Sequence, residues 1–232
     1  MRMPQYEKLP KELQCDEVKH YYDILKTKTA GLIFKRIFDV TVAIFMIILL
    51  LLPMGIIALL IKCTSKGPVI YKQVRVTTFG KHFKIWKFRS MRTDADAKGE
   101  LLTVGEDDRI TSIGKFIRKF RLDELPQIFH VLSGKMTIVG TRPEVPKFTD
   151  KYTSEMLATL LLPAGVTSLA SIRFKDEAEL LADSDDVDKT YIEVILPQKM
   201  KYNLEYIENF SFMTDIKLIF KTVAEVFTSQ GE

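Results

Sequence analysis

From Val40 to Ile61 the chain carries no charged residue. That run of about 22 positions is long enough for a helix to cross the hydrocarbon core of a bilayer. It begins too far from the N-terminus, runs too long and lacks a small-x-small cleavage site for a signal peptide. The segment therefore enters a membrane. A length of 232 residues leaves room beside it for one ordinary domain.

Two features bear on how the segment sits. Lys26, Lys28, Lys35 and Arg36 precede it, and Lys62, Lys66, Lys72 and Arg75 follow it. Positive residues mark the cytoplasmic side, and with both flanks positive the rule names no outer end. Pro53, followed by Met54 and Gly55, lies near the middle. A proline removes an amide donor and bends a helix. The segment could dip into one leaflet and return, or it could be a single span with a tolerated proline. Charge and proline alone leave the two readings even.

The net charge of +4 is unevenly spread. Residues 62 to 92 hold lysines and arginines with no acid among them, whereas residues 176 to 188 are mostly acidic. The basic stretch favours anionic partners such as headgroups or phosphates. Nucleic acid is disfavoured, because the stretch has few aromatic residues and no nucleic-acid motif. Cys15 and Cys63 are far apart, which suits a reducing cytosolic setting without disulfides. The scattered His20, His82 and His130 make no zinc cluster.

After the anchor, Gly67-Pro68 punctuates the chain and Val69 to Tyr71 is β-like. Phe83 to Phe88 alternates apolar and basic residues, as in a strand. Residues 94 to 109, with Gly99 and Gly105, read as a loop. Thr111 to Phe120 has helical spacing at Ile113, Phe116, Ile117 and Phe120. A second helix is expected from Leu125-Pro126 through Leu132, ended by Ser133-Gly134. Residues 212 to 227 form a final amphipathic helix through Ile216, Ile219, Phe220, Val223 and Phe227, with core packing preferred over lying on the membrane.

Asp123-Glu124 stands at the N-terminus of the second helix, in an otherwise basic run that includes Arg118, Lys119 and Arg121. Acids among cations beside a lipid anchor suit a phosphorylated substrate handled at a membrane surface. The plainer alternative is a surface pair neutralised by nearby arginines.

The order of motifs resembles the bacterial sugar transferase family, the monotopic phosphoglycosyl transferases. Phe34-Lys35-Arg36-Ile37-Phe38-Asp39 precedes the apolar run, followed by Gly67-Pro68, Gln73-Val74-Arg75 and Lys87-Phe88-Arg89-Ser90-Met91. Leu122-Asp123-Glu124-Leu125-Pro126-Gln127 and Val139-Gly140-Thr141-Arg142-Pro143 come next, then Tyr206-Ile207-Glu208-Asn209 and Asp215-Ile216-Lys217. The similarity covers roughly residues 33 to 226.

The resemblance implies transfer of a sugar-1-phosphate from a UDP-sugar to a polyprenyl phosphate such as undecaprenyl phosphate. Such a reaction needs Mg²⁺, releases UMP and starts assembly of a surface glycan. It also implies a re-entrant helix-break-helix turning at Pro53, on the cytoplasmic membrane of a bacterium. The expected fold is α/β, helix-rich and irregular. Its divisions are a cytosolic N-terminal segment at 1–32, the membrane element at 33–66 and a cytosolic catalytic domain at 67–232. A diphosphate repels an anionic nucleophile unless cations or a metal neutralise it. A covalent intermediate lets a water-soluble donor and a lipid-held acceptor use one site in turn.

In this light Asp123 is the expected nucleophile, Glu124 the Mg²⁺ ligand and Lys87 a catalytic cation. Arg89 and Arg142 are expected on phosphate oxygens. Arg121, Gln127 and Arg75 are assigned there more loosely, Arg75 having lipid headgroups as its alternative. Arg173 is a weak candidate for the nucleotide. Arg36 to Asp39 reads as a structural ion pair at the membrane entrance, and Gly140 and Pro143 as turn formers.

The chain departs from the family at Leu52 before the proline, where Ser is usual, and at Thr77, where Gly is frequent. Thr141 replaces a proline and is expected to loosen the turn carrying Arg142. Ser168 and Leu169 stand where Gly and Trp are common. The rival reading is a non-catalytic membrane module that binds anionic lipid or a glycan-assembly partner. The sugar, the lipid length and the oligomeric state are open, a homodimer being one option.

Overall fold

A computed structural model describes residues 3–92, 109–174, 180–181, 184 and 186–228. The anticipated loop at 94–109 falls almost wholly outside these residues, as does much of the acidic stretch at 176–188. The chain is helix-rich α/β. Helix α1 (Asp16–Thr27) leads into α2 (Thr29–Thr64), which carries the apolar run. Strands β1 (Ile70–Thr77) and β2 (Lys81–Phe88) follow. Next come α3 (Ser112–Lys119), a 3₁₀ turn at Leu122–Gln127, α4 (Ile128–Ser133), β3 (Met136–Val139) and α5 (Pro146–Thr149). The rest comprises β4 (Ala164–Thr167), α6 (Leu169–Arg173), α7 (Leu196–Glu208) and α8 (Phe212–Thr228).

The 36 residues of α2 would extend about 54 Å if straight. Helical assignment runs through Pro53 without interruption. One stripe of α2 is buried, at Leu32, Lys35, Asp39 and Ala43 and again at Met54, Ile57 and Ile61. The repeat of three or four keeps these residues on one face. The other faces expose apolar side chains, among them Phe45, Ile48, Leu49, Leu51, Leu52 and Leu59. Such a large contiguous apolar surface marks a membrane-contacting element.

The segment before α2 and the domain after it share one core. Leu9, Leu13, Val18, Tyr22 and Leu25 pack in the same cluster as Leu161, Ile172, Leu204, Ile207 and Phe210. The amphipathic spacing of Val18, Tyr21, Tyr22 and Leu25 buries one side of α1 in this cluster.

β1 and β2 form an antiparallel hairpin in register from Ile70 opposite Phe88 to Thr77 opposite Lys81. The alternation of β2 works as expected: Phe83 and Ile85 are buried, and Lys84 between them is exposed. β3 and β4 pair in parallel. A Cβ on Gly165 would lie 2.2 Å from the Gly140 carbonyl oxygen, so this pair of strands requires glycine there. Gly140 bends the chain just beyond β3, and a Cβ there would lie 2.8 Å from the Pro163 carbonyl oxygen.

α3 starts where the sequence places it, with Thr111 Oγ1 accepting from Gly114 N at 3.0 Å. α4 ends at Gly134, whose φ of 80° suits a residue without Cβ. α8 both packs and exposes apolar surface: Leu218 is buried, and Met213, Phe220 and Val223 face outward. The side chain of Phe227 lies outside the described residues.

Candidate active site

The 3₁₀ turn Leu122–Gln127 presents Asp123 and Glu124 in its first turn, so the acids precede α4 by one short element. Pro126 sits inside this turn, where its missing donor leaves the first turn of α4 undisturbed. The turn opens at Arg121, whose φ of 53° is left-handed. For a residue with a Cβ that backbone costs about 1–2 kcal/mol. It is offset by bonds from Arg121 N to Arg118 O (3.0 Å) and from Glu124 N to Arg121 O (3.2 Å).

Glu124 is gripped by two cations from separate elements. Lys87 Nζ of β2 donates to Glu124 Oε1 at 2.9 Å, and Arg142 Nη2 donates to the same oxygen at 2.5 Å. Arg142 Nη1 reaches Oε2 at 3.3 Å. Burial alone would raise the Glu124 pKa, but Arg142 and Lys87 outweigh it and hold the carboxyl well below its ordinary value. Burial lowers the Lys87 pKa, an effect that Glu124 opposes. Asp123 stands beside this group, and no ion pair closes on it among the described residues. Its pKa is raised by burial and pulled back by the charge of Lys87.

The segment bearing Arg142 is braced on two sides. Gly165 N donates to Thr141 O (2.8 Å) and Gly140 N to Thr167 O (3.0 Å). Arg75 Nη1 donates to Pro143 O at 3.1 Å and two other nitrogens of Arg75 engage Gln73 Oε1. Next to it, buried Glu144 accepts from Tyr191 Oη at 2.7 Å and Lys199 Nζ at 3.4 Å. Glu144, Tyr191 and Lys199 were not foreseen; the signal available was only that Glu144 directly follows the Arg-Pro pair.

The anticipated cations divide. Lys87 and Arg142 meet at Glu124, and Arg121 lines a cavity beside it. Arg89 is placed elsewhere: it is buried, and it donates to Pro68 O and to both oxygens of Ser65 at the end of α2. It fastens the end of α2 to the residue that follows β2, away from the Glu124 group where a phosphate role was expected. Arg75 braces Pro143, next to Arg142. Arg173 is exposed and lies over the Tyr202 ring. Gln127 is buried, and its Nε2 has no hydrogen-bond partner among the described residues.

The expected Arg36–Asp39 ion pair is replaced by other contacts. Arg36 donates to the carbonyls of Val131 and Leu132 at the end of α4, where a helix favours a cation. Asp39 accepts from Thr137 Oγ1 at 2.5 Å and Ile138 N at 3.3 Å. On this face of α2 the buried ion pair is Lys35 with Asp215 at 2.6 Å, completed by Tyr206 Oη on Asp215 Oδ1 and by Val139 O on Lys35. Lys35 is four residues N-terminal to Asp39, and its inward placement follows from the buried stripe of α2.

A buried carboxylate under two cations thus lies beside a second carboxylate that has no ion pair among the described residues, and α2 exposes an apolar surface. The bacterial sugar transferase family matches residues 30–229, and the chain belongs to that family. It is 36% identical over 204 residues to the UDP-glucose:undecaprenyl-phosphate glucose-1-phosphate transferase of Klebsiella pneumoniae, covering 87% of this chain and 42% of the relative. It is 36% identical over 200 residues to an Aeromonas hydrophila UDP-N-acetylgalactosamine-undecaprenyl-phosphate N-acetylgalactosaminephosphotransferase, covering 85% of this chain and 44% of the relative. The chain thus spans less than half the length of these two. With the exopolysaccharide production protein PSS of Rhizobium leguminosarum bv. phaseoli it shares 36% identity, over 85% of this chain and 96% of the relative.

Proposed function

We propose that the protein is a phosphoglycosyl transferase that moves a sugar-1-phosphate from a UDP-sugar to a polyprenyl phosphate, releasing UMP and starting a surface glycan. The observation that carries this reading is the pairing of Lys87 and Arg142 on Glu124 beside Asp123, on which no ion pair closes among the described residues. The names of the relatives supply the donor and acceptor classes.

In the first step an Asp123 oxygen attacks the sugar-linked phosphorus. A P–O bond to Asp123 forms as the bond to UMP breaks. In the second, an oxygen of the acceptor phosphate attacks the same phosphorus, and the acyl-phosphate bond breaks to regenerate the Asp123 carboxylate. Desolvation of Asp123 makes it a readier nucleophile, while Lys87 keeps enough of it ionised. Arg142 and Lys87 stabilise the charge that gathers on phosphate oxygens.

The residues fit Mg²⁺ held by Glu124 together with substrate oxygens. Glu124 Oε2 has only the long contact to Arg142, and among the described residues there is no cluster of three ligands for an all-protein site. Bound there, Mg²⁺ would neutralise diphosphate charge.

The shared core of residues 3–27 and the catalytic domain supports a re-entrant α2. Both ends of α2 are anchored to one polar body, Lys35 to Asp215 and Ser65 to Arg89. A full span would put these ends on opposite sides of a ~30 Å core. Pro53 is the place to turn, and the positive flanks put both ends in the cytoplasm.

The test is UMP release from a panel of UDP-sugars with undecaprenyl phosphate and Mg²⁺. The Asp123→Asn variant is expected to lose at least about 10³-fold in rate while still inserting in membranes. Wild-type rates in that variant would exclude Asp123 as nucleophile.

A further inference from the structure

Two residues beyond Arg142 stands a carboxylate that the transferase reading leaves without a task. Glu144 is buried, and its Oε1 accepts from Tyr191 Oη at 2.7 Å and from Lys199 Nζ at 3.4 Å. Lys199 Nζ also donates to Tyr191 Oη at 2.9 Å and lies 4.9 Å from the centre of the Tyr191 ring. Tyr191 opens a π-helical segment, Tyr191–Ile195, that runs directly into α7, which carries Lys199. Such segments are uncommon and occur often at functional sites. Tyr191 and Lys199 are as deeply buried as Glu144. None of the three lines the cavity beside Glu124, so their part in the chemistry is indirect.

The same stretch is also fixed at its backbone. Glu144 O accepts from Val76 N of β1 at 3.0 Å, and Pro143 O accepts from Arg75 Nη1 at 3.1 Å. The chain beyond Arg142 is therefore tied to β1 by its carbonyls and to α7 by the Glu144 side chain. Charge runs along the same line. Burial lowers the Arg75 pKa, Glu144 opposes that, and Arg142 adds to it. Two guanidinium groups brought near each other repel, and more strongly as water is excluded. Glu144 supplies negative charge on the Arg75 side, as Glu124 does on the Arg142 side.

We propose that Glu144, clamped by Tyr191 and Lys199, is a positioning residue that keeps Arg142 in place when its bond to Glu124 is exchanged for a substrate phosphate. The role rests on the transferase reading and extends it to residues outside the cavity. At rest Arg142 is fixed from its tip, by Glu124. A guanidinium that turns to phosphate oxygens loses that hold, and its position then depends on the backbone it leaves from. Pro143 stiffens that backbone, because its ring fixes φ. Glu144 is the next side chain, and α7 anchors it. Without the Glu144 charge, repulsion from Arg75 acts on Arg142 unopposed during the exchange.

A double-mutant cycle in nanodiscs tests this, read as initial rates of UMP release with undecaprenyl phosphate. Glu144→Gln keeps the shape and an acceptor for Tyr191 and removes the charge. Alone it should lower kcat by about 10- to 10²-fold, the scale of a small misplacement, and leave KM for the UDP-sugar within about threefold. In an Arg142→Met background the same change should cost less than about twofold, because the group it positions is gone. Tyr191→Phe loosens the carboxylate but keeps its charge, and should lower kcat less than Glu144→Gln does. If Glu144→Gln unfolds the protein, Glu144→Gln with Lys199→Met removes both charges and takes its place in the cycle. A second readout needs no turnover. Phenylglyoxal modification of Arg142, mapped by mass spectrometry in Glu124→Gln protein, should speed up clearly when Glu144→Gln is added. Equal costs in both backgrounds, or an unchanged modification rate, would overturn the positioning role. Faster modification in a protein that releases no UMP from any UDP-sugar would uphold the hold on Arg142 and overturn the transferase reading instead.

Discussion

Two of the buried charge groups in this small domain, Lys35–Asp215 and Lys87–Glu124, are built differently. In the Lys35–Asp215 group the side chains are 6% and 3% exposed, and both oxygens of Asp215 are used, by Lys35 and by Tyr206. In the Lys87–Glu124 group the exposures are 22% and 12%, Arg142 is 31% exposed, and Asp123 lies alongside without an ion pair among the described residues. The first group is saturated and ties α2 to α8. The second borders a cavity and keeps cationic capacity for a ligand. A closed network serves architecture, whereas an open one of similar composition is where substrate charge can be received.

Removing one partner from each group tests the distinction, and the closed group should suffer more in stability. Asp215→Ala leaves the Lys35 ammonium buried without its carboxylate, which should cost about 3–5 kcal/mol. Denaturant or thermal unfolding in detergent would measure it. If the ion pair is the cause, the paired replacement Lys35→Met with Asp215→Leu recovers most of the loss. No recovery would instead point to the Tyr206 bond as the larger contribution.

Lys87→Met gives the opposite balance. The cavity admits water to Glu124, and Arg142 still holds it, so the stability cost should stay near 1–2 kcal/mol. Turnover should fall by about 10²-fold through lost stabilisation of phosphate charge. A variant that kept its rate and lost its fold would erase the distinction between the two groups.

How much of this was readable beforehand depends on sequence distance. The apolar run, the alternation of Phe83 and Ile85, the helical spacing from Thr111 to Phe120 and the stop at Gly134 are local patterns, and each formed as its pattern requires. Motif order singled out Glu124, Lys87 and Arg142, but not that the two cations would pair with the acid, which only the fold brings about. The place of Arg89 was not readable, since composition cannot tell whether a cation at the end of a strand turns outward or inward to the carbonyls of residues 65 and 68. Nor was the pairing of Lys35 with Asp215, whose partners are 180 residues apart. The helical N-terminal segment and α7 also went unread. Their apolar spacing is ordinary, and its meaning comes only from the core in which both are buried.

The smallest expected effect lies at His130, which connects the two kinds of chemistry through the hairpin. His130 is buried, and its Nε2 accepts from the Trp86 backbone N–H at 3.1 Å, next to Lys87. Phe83 and Trp86 flank its ring. Accepting that bond requires a neutral imidazole, and burial, aided by the charge of Lys135, lowers its pKa from 6.5 to about 4. The unfolded chain therefore binds a proton at this residue between pH 6.5 and 4 while the folded chain does not. Stability must fall as pH drops through that window and level off below it. After allowance for screening, the loss should be about 2 kcal/mol. His130→Gln keeps an acceptor for Trp86 N–H but cannot titrate, so the difference between the two unfolding curves isolates the effect from the carboxylates. Parallel curves for the two proteins from pH 7 to 4 would show that His130 is charged in the fold, and with it that the edge of β2 beside Lys87 is held by something other than this bond.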